Sequence, residues 1–387
     1  MGDAYIVGAL RTPIGKRGGK LSGLHPTDLL GLVLRNLLDR AGVDPLAVDD
    51  VIGGCVSQCG EQGVNVARNA WIAAGLPFDV PATSVDRQCG SAQQAIHFAA
   101  QGVMAGVYDL VIACGVESMS RVPLGSTMEG PGFPMSEAWM AACDNQFFTQ
   151  YLAAQEIARR WNISRAEMDE LAVESHRRAA QATDEGRFTR EILPVKVTTE
   201  DGTVEEMTVD EGIRRDTSVE KLATIPAVQP DCPDITAGNS SQISDGAAAV
   251  LIASEAAAQS LGLTPRARLA GFAVAACEPI VMLKGPIPAT RKLLDRTGIK
   301  IGEIDLFECN EAMGSIVPMW AKEFDVDLEK VNPNGSGISL GHPVGASGAR
   351  IMVTLLHELE RTGGRFGFQT MCEGGGQGNA TLIERVG

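Results

Sequence analysis

The last third of the chain repeats the pattern of the first, and this repetition constrains the fold more than any other feature. Val51-Ile52-Gly53-Gly54 is a short apolar run ending in glycines, and Asp305-Leu306-Phe307-Glu308-Cys309-Asn310 ends a strand in the same way. Residues 91–104 carry apolar positions at helical spacing behind a turn, and 347–360 do so behind a glycine-rich turn. Leu110-Val111-Ile112-Ala113-Cys114-Gly115 reads as a strand buried on both faces, with Gly367-Phe368-Gln369-Thr370-Met371-Cys372 as its counterpart. With a strand over 4–7 and a helix over 26–40, the alternation predicts a mainly parallel sheet covered on both faces. Two copies of one α/β unit, packed together, bring corresponding loops face to face. The cleft between them is the expected place for chemistry.

Between 118 and 242 the alternation stops. Gly, Pro and Met crowd 123–135, amphipathic helices follow near 147–161 and 165–185, and weak strands lie within 191–210. So long an excursion reads as an inserted subdomain, of the kind that covers a binding cleft. At 387 residues the chain has room for two or more domains. Its 33 Lys+Arg against 48 Asp+Glu give a net charge of −15, which argues against nucleic-acid or membrane-surface roles. No basic leader with an apolar stretch and no bilayer-length run is present, so a soluble, cytoplasmic protein without membrane insertion is expected. The nine cysteines match neither zinc spacing nor a disulfide framework, and no metal is expected.

Four segments carry candidate chemistry. In Val85-Asp86-Arg87-Gln88-Cys89-Gly90-Ser91, Cys89 stands between a strand-like run and a helix N-terminus. The unpaired N–H groups there stabilise a thiolate and are expected to lower the thiol pKa from ~8.5. The plain alternative is a buried structural cysteine. In Gly341-His342-Pro343 the flanking residues fix the backbone, which suits His342 to take a proton from Cys89; a hydrogen-bonded turn histidine is the alternative. Cys372 runs into Glu373 and three glycines, whose N–H groups can form an anion nest or oxyanion hole, or simply a flexible turn. Asn310 can orient a water or donate to a carbonyl without adding charge. Its neighbour Glu311 is either an acid–base group or a carboxylate locking a turn. His25, His97, His176 and His357 sit among ordinary neighbours. Arg214, Arg215 and Lys221 form a small basic cluster, solvated by default but suited to a phosphate. There is no Walker-type loop and no Gly-x-Gly-x-x-Gly after the first strand.

These segments, with Thr12-Pro13-Ile14-Gly15, Glu117-Ser118-Met119-Ser120 and residues 238–249, resemble the thiolase family from end to end. The resemblance implies an α/β fold of two duplicated halves, layered α-β-α-β-α, with an inserted loop domain. Residues 1–265 would be the N-terminal domain, containing a coenzyme A-binding loop domain at 118–243, and 266–387 the C-terminal domain. It implies Cys89 as the acylated nucleophile, His342 as its activator and Cys372 as the general acid/base acting on carbon. Asn310 and His342 would hold one oxyanion site through a water, and the N–H groups of Cys89 and Gly374 the other. Ser241 and Arg214 match positions touching the pantetheine and adenine parts of coenzyme A. The implied reaction is retro-Claisen cleavage of a 3-ketoacyl-CoA to acetyl-CoA or propionyl-CoA, by ping-pong steps through acyl-Cys89. Acyl-CoA and coenzyme A would be substrates, with no permanently bound cofactor and a homodimeric or homotetrameric assembly.

Three departures bear on substrate. Thr149-Gln150-Tyr151 stands where short-chain biosynthetic thiolases carry His-Met-Gly, Met313 replaces a phenylalanine, and Glu373 replaces an aliphatic residue. Glu373 is expected to raise the Cys372 thiol pKa or to meet a polar group of the substrate. The Cys-Glu-Gly-Gly-Gly and Asp-Arg-Gln-Cys-Gly-Ser patterns resemble actinobacterial thiolases of steroid breakdown, which points to a bulky 3-ketoacyl-CoA. The alternatives are condensation of two acetyl-CoA to acetoacetyl-CoA, a ketoacyl synthase, which would lack Cys372, and a coenzyme A-binding subunit with a decayed site.

Overall fold

A computed structural model describes residues 2–199 and 201–387 and places ten strands in one sheet. The main strands are β1 (Ala4–Arg11), β2 (Asp50–Gly54), β3 (Ala82–Val85), β4 (Leu110–Ser118), β5 (Ser244–Ser254), β6 (Ala267–Ala276), β7 (Leu306–Cys309), β8 (Phe366–Glu373) and β9 (Gln377–Arg385). Their order is β7-β8-β9-β6-β1-β5-β4-β2-β3, and the two-residue strand Gly15–Lys16 pairs with β5. In the first half β4 runs parallel to β2 and antiparallel to β5, which is antiparallel to β1. In the second half β8 runs parallel to β7 and antiparallel to β9, which is antiparallel to β6. The halves are therefore one motif used twice, joined where Tyr5 pairs with Arg268 and Ile6 with Ala267. The sheet is mixed and not mainly parallel, contrary to the sequence expectation. The connections explain this: β4 reaches β5 through the insert and β8 reaches β9 through Gly374-Gly375-Gly376. Neither is the helical crossover that a parallel neighbour needs.

Eight helices matter here: α1 (Pro26–Ala41), α2 (Val66–Ala73), α3 (Ser91–Met104), α4 (Gln150–Arg160), α5 (Arg165–Asp184), α6 (Pro286–Thr297), α7 (Ile316–Phe324) and α8 (Ser347–Thr362). α1 begins with Pro26 at its first position and ends at Gly42 in the left-handed region, both standard helix punctuation. It lays Leu30, Val33, Leu34 and Leu37 on the first half, together with Trp71 of α2. α3 and α8 are buried between the halves. Ala92, Ala95, Ile96 and Ala99 share one core with Ala349, Met352, Val353 and Leu356, and with Ile52 and Val111 of one half and Leu269 and Ile383 of the other. The alanines of α3 are small enough for this central layer to be shared. Beyond the second half, α6 and α7 pack around Phe307, Trp320 and Phe368. The layers thus run α-β-α-β-α.

The insert leaves the end of β4 and leans on the second half. Within it, Thr149 caps α4 and Ser164 with Glu167 forms a capping box on α5. Ser315 donates to the carbonyl of Ala154 (3.0 Å), Arg178 to that of Val331 (2.7 Å) and Ser175 to Glu311 Oε2 (2.6 Å). Among the described residues no helix is long and apolar enough to cross a membrane.

Candidate active site

Cys89 sits on a tight turn between β3 and α3. Gln88 adopts a left-handed φ of 50°, and three hydrogen bonds hold it there. Gln88 N donates to Asp86 Oδ1 (2.6 Å), Arg87 N to Ser91 Oγ (2.9 Å) and Ser91 Oγ to Gln88 O (2.6 Å). The residue remains partly accessible and packs with Val56, Met119, Ile243 and Val344. Burial of the sulfur, and next the charge of Glu373, push its thiol up to about 12. The expectation of a depressed thiol pKa is therefore not met. The field of one helix start is outweighed by desolvation and a nearby carboxylate.

His342 is aimed by the backbone. Gly341 has φ 110°, and a Cβ there would stand 2.5 Å from Ser244 Oγ, which accepts from His342 N (3.1 Å). Ser347 at the start of α8 gives its proton to the carbonyl of Pro343 (2.9 Å), so its oxygen accepts from His342 Nδ1 (2.6 Å). Nε2 then carries the lone pair, and Asn310 Nδ2 donates to it at 3.4 Å. Burial, aided by the Arg350 guanidinium, drives the imidazole down to about 3, well below the near-neutral value expected of a base. The resting pair is thus a neutral thiol and a neutral imidazole.

Asn310 is buried directly after β7, and its Oδ1 has no partner among the described residues. Glu311 accepts from Ser175, from Asn332 Nδ2 (3.0 Å) and from Ile338 N (3.2 Å), the pattern of a carboxylate locking a turn. Cys372, fully buried, belongs to the core around Phe307 and Trp320; burial and then Cys89, Cys309 and Glu373 raise its thiol strongly. A Cβ at Gly374 would stand 2.9 Å from Gln88 Oε1, so the second-half glycine turn closes on the Cys89 turn. The fold therefore gathers Cys89, His342, Asn310, Cys372 and Gly374 where the two halves meet.

Ser241 lies at the insert's exit, its N–H donating to the carbonyl of Ala312 (3.0 Å). Arg214 lies farther out, its N–H bonded to His176 Nδ1 (3.0 Å) and its side chain exposed. Of the basic cluster, Arg215 pairs with Asp184 (2.7 Å) and Lys221 with Asp216 (2.8 Å), while Arg214 has no ion pair among the described residues. Thr149, Gln150 and Tyr151 form the start of α4. A cavity of about 470 Å³ opens between α5 and α7 behind Glu311, away from the cysteines.

Sequence reasoning missed Ser347, Ser244 and the task of Glu117. The signal for Ser347 was present, since a serine five residues after His342 starts the following helix. Glu117 lies in a segment noted only for its resemblance. It is buried and accepts from Val56 N (2.9 Å), Ser57 N (3.1 Å), Gln62 Nε2 (2.7 Å) and Gly345 N (2.9 Å).

A duplicated α/β frame with two cysteines, a histidine and an asparagine at the meeting of its halves defines a class of acyl-transfer protein. The family models for the thiolase N-terminal domain and the thiolase C-terminal domain match residues 4–256 and 263–385. The chain belongs to the thiolase family. It is 50% identical to the steroid 3-ketoacyl-CoA thiolase FadA6 of Mycobacterium tuberculosis, over all of this chain and 95% of that one. It is 44% identical to a 3-ketoacyl-CoA thiolase of Pectobacterium carotovorum over the whole of both. Among solved structures it resembles the Bacillus anthracis acetyl-CoA acetyltransferase (TM-score 0.91, 38% identity), covering 100% of this chain and 99% of that one.

Proposed function

We propose that this protein cleaves 3-ketoacyl-CoA thioesters with free coenzyme A, through an acyl-Cys89 intermediate. The observation that carries the reading is the pair of contacts at His342, Ser347 Oγ at Nδ1 (2.6 Å) and Asn310 Nδ2 at Nε2 (3.4 Å), which together assign the proton to Nδ1. A neutral imidazole with its lone pair on Nε2 can take the Cys89 proton as sulfur attacks the 3-keto carbon. The oxyanion that forms is met by the N–H groups of Cys89 and Gly374. Its collapse breaks the C2–C3 bond, leaving the acyl group on sulfur. The departing acetyl-CoA (or propionyl-CoA) enolate takes a proton at carbon from Cys372, with its oxygen held by Asn310 and His342 through a water. Coenzyme A then attacks the thioester, its thiol proton passes to a base of the site, and Cys89 is regenerated.

Ser241 and Arg214 would hold the pantetheine and adenine ends of coenzyme A, within an insert domain at 118–243 between domains 1–265 and 266–387. A bulky, steroid-derived acyl group fits the likeness to FadA6 and the replacement of His-Met-Gly by Thr149-Gln150-Tyr151. The protein would act in the cytoplasm as a homodimer or homotetramer, with coenzyme A as co-substrate and no resident cofactor. Light scattering on the purified protein reads the assembly. The deciding experiment is a thiolysis panel of acetoacetyl-CoA, long-chain and steroid-like 3-ketoacyl-CoA, with Cys89→Ala as blank. Preference for the large substrates supports the reading. Preference for acetoacetyl-CoA moves it to acetyl-CoA acetyltransfer, the activity for which the B. anthracis protein is named. No acylation of Cys89 by any of them would leave a coenzyme A-binding subunit.

A further inference from the structure

Glu373 ends β8 next to Cys372, but strand alternation sends the two side chains to opposite faces. Cys372 enters the outer core, and Glu373 enters the space beneath the N-terminus of α3. Its carboxyl is seated on Gly90, where a Cβ would stand 2.0 Å from Oε1. The side chain is fully buried and neither oxygen has a hydrogen-bond partner among the described residues. Of the donors around it, Asn379 Nδ2 donates to Gly90 O (3.1 Å) and Arg87 Nη1 to Gln377 Oε1 (2.8 Å), while Arg87 Nε is buried and, like the carboxyl, without a hydrogen-bond partner among the described residues. Seated beneath the Gly90 peptide, on the face of β8 opposite to Cys372, the carboxyl is placed to act on the Cys89 turn and not on a polar group of the substrate.

We propose that Glu373 is a positioning residue for Cys89: its carboxyl, sealed beneath the Gly90 peptide, governs how readily the adjacent sulfur gives up its proton. The proposal rests on Cys89 being the acylated group. An unsolvated, unpaired carboxylate is unfavourable, so the acid form is retained to higher pH than usual. The groups facing it are Asp86, Arg87 and Cys89 on the turn, Cys372 on its own strand, and the neutral Gln377 and Asn379 on β9. Burial raises it, Arg87 opposes and Asp86 adds, leaving Glu373 at about 8. Near neutral pH the carboxyl is mostly protonated, and the start of α3 acts on the sulfur against Glu117 and Asp86 but without the charge of Glu373. As it ionises, a negative charge appears beside Cys89 and holds the thiol in its protonated form, where the proton must leave directly to the base.

Alkylation of the Cys89 peptide by iodoacetamide, followed by mass spectrometry, reads this without requiring turnover. Intact wild type, Glu373→Gln, Glu373→Ile and Glu373→Asp are compared between about pH 6.5 and 10. Wild type and Glu373→Gln should label alike at the acid end and diverge above about pH 8, the glutamine variant roughly tenfold faster. Glu373→Asp should keep the wild-type profile, and Glu373→Ile, which also lacks the charge, gives the same contrast if the glutamine variant does not fold. A merely structural role would displace the curves equally at every pH. Parallel curves, or an aspartate variant behaving as glutamine, would overturn the proposal. Thiolysis by the wild type is measured separately, so failure of the proposed reaction shows there and not in the alkylation profile.

Discussion

Two buried glutamates stand near the ends of equivalent strands, Glu117 on β4 and Glu373 on β8, and they are treated in opposite ways. Glu117 accepts four hydrogen bonds, from Val56, Ser57, Gln62 and, across the junction, Gly345. Glu373 accepts none among the described residues. Burial raises the pKa of both, but donors counter it at Glu117 and only the Arg87 charge counters it at Glu373. A duplicated frame thus supplies two similar positions. One has become a clamp tying the Cys55 loop to the turn after His342, and the other a charge that can be switched beside Cys89.

The largest test of this contrast is to break the clamp. Glu117→Gln places an NH₂ where two or more N–H donors converge, so a loss of about 3–5 kcal/mol is expected, read by denaturant unfolding. Glu373→Gln, which disrupts no hydrogen bond, should be near neutral or stabilising at pH 8. Equal losses at the two positions would remove the distinction.

The next effect is pH dependence. The folded state raises Glu373 from 4.5 to about 8, so its contribution to stability is fully present below pH 4.5 and lost as pH rises through about 8. Wild type should therefore lose up to roughly 5 kcal/mol relative to Glu373→Gln across that window and stay level above it. Paired urea melts at several pH values measure the difference. A constant difference would mean that the carboxyl titrates normally and is wetter than its burial implies.

What could be read in the sequence divides along the same line. The strand and helix repeat was legible because apolar periodicity is local, and α3 begins and ends as expected, at Ser91 and Met104. The four chemical segments were legible because glycine, proline, cysteine and histidine mark unusual backbone. The sheet's mixed direction was not, since pairing depends on connections and not on periodicity. Nor were the ionisation states of Cys89 and His342. The helix start beside Cys89 is visible in sequence, but Glu373 lies far away in sequence, and only folding brings it under Gly90. Arg350 likewise reaches His342 only through the buried end of α8.

A smaller effect belongs to Ser347, whose bond to Nδ1 fixes the His342 tautomer. Ser347→Ala should lower kcat about tenfold, with little change in KM for coenzyme A. Saturation kinetics in both substrates separate the two constants. A change confined to KM would mean that the serine shapes the coenzyme A path and not the base.

The smallest effect carries the contrast between satisfied and open groups to the surface. Arg214 and Arg215 are adjacent and both exposed, but Arg215 is bidentate to Asp184 (2.8 and 2.7 Å), whereas Arg214 is tethered only by its main chain to His176. If the open guanidinium is the one that meets a phosphate of coenzyme A, Arg214→Ala should raise KM for coenzyme A about threefold to tenfold at low salt, as one exposed ionic contact does. Arg215→Ala should change it much less, since Asp184 already neutralises that charge. Adding salt should shrink the Arg214 effect through screening and leave kcat unaltered. Equal responses from the two arginines would show that the ligand reads the net charge of this surface, and that pairing within the protein does not decide which side chain binds.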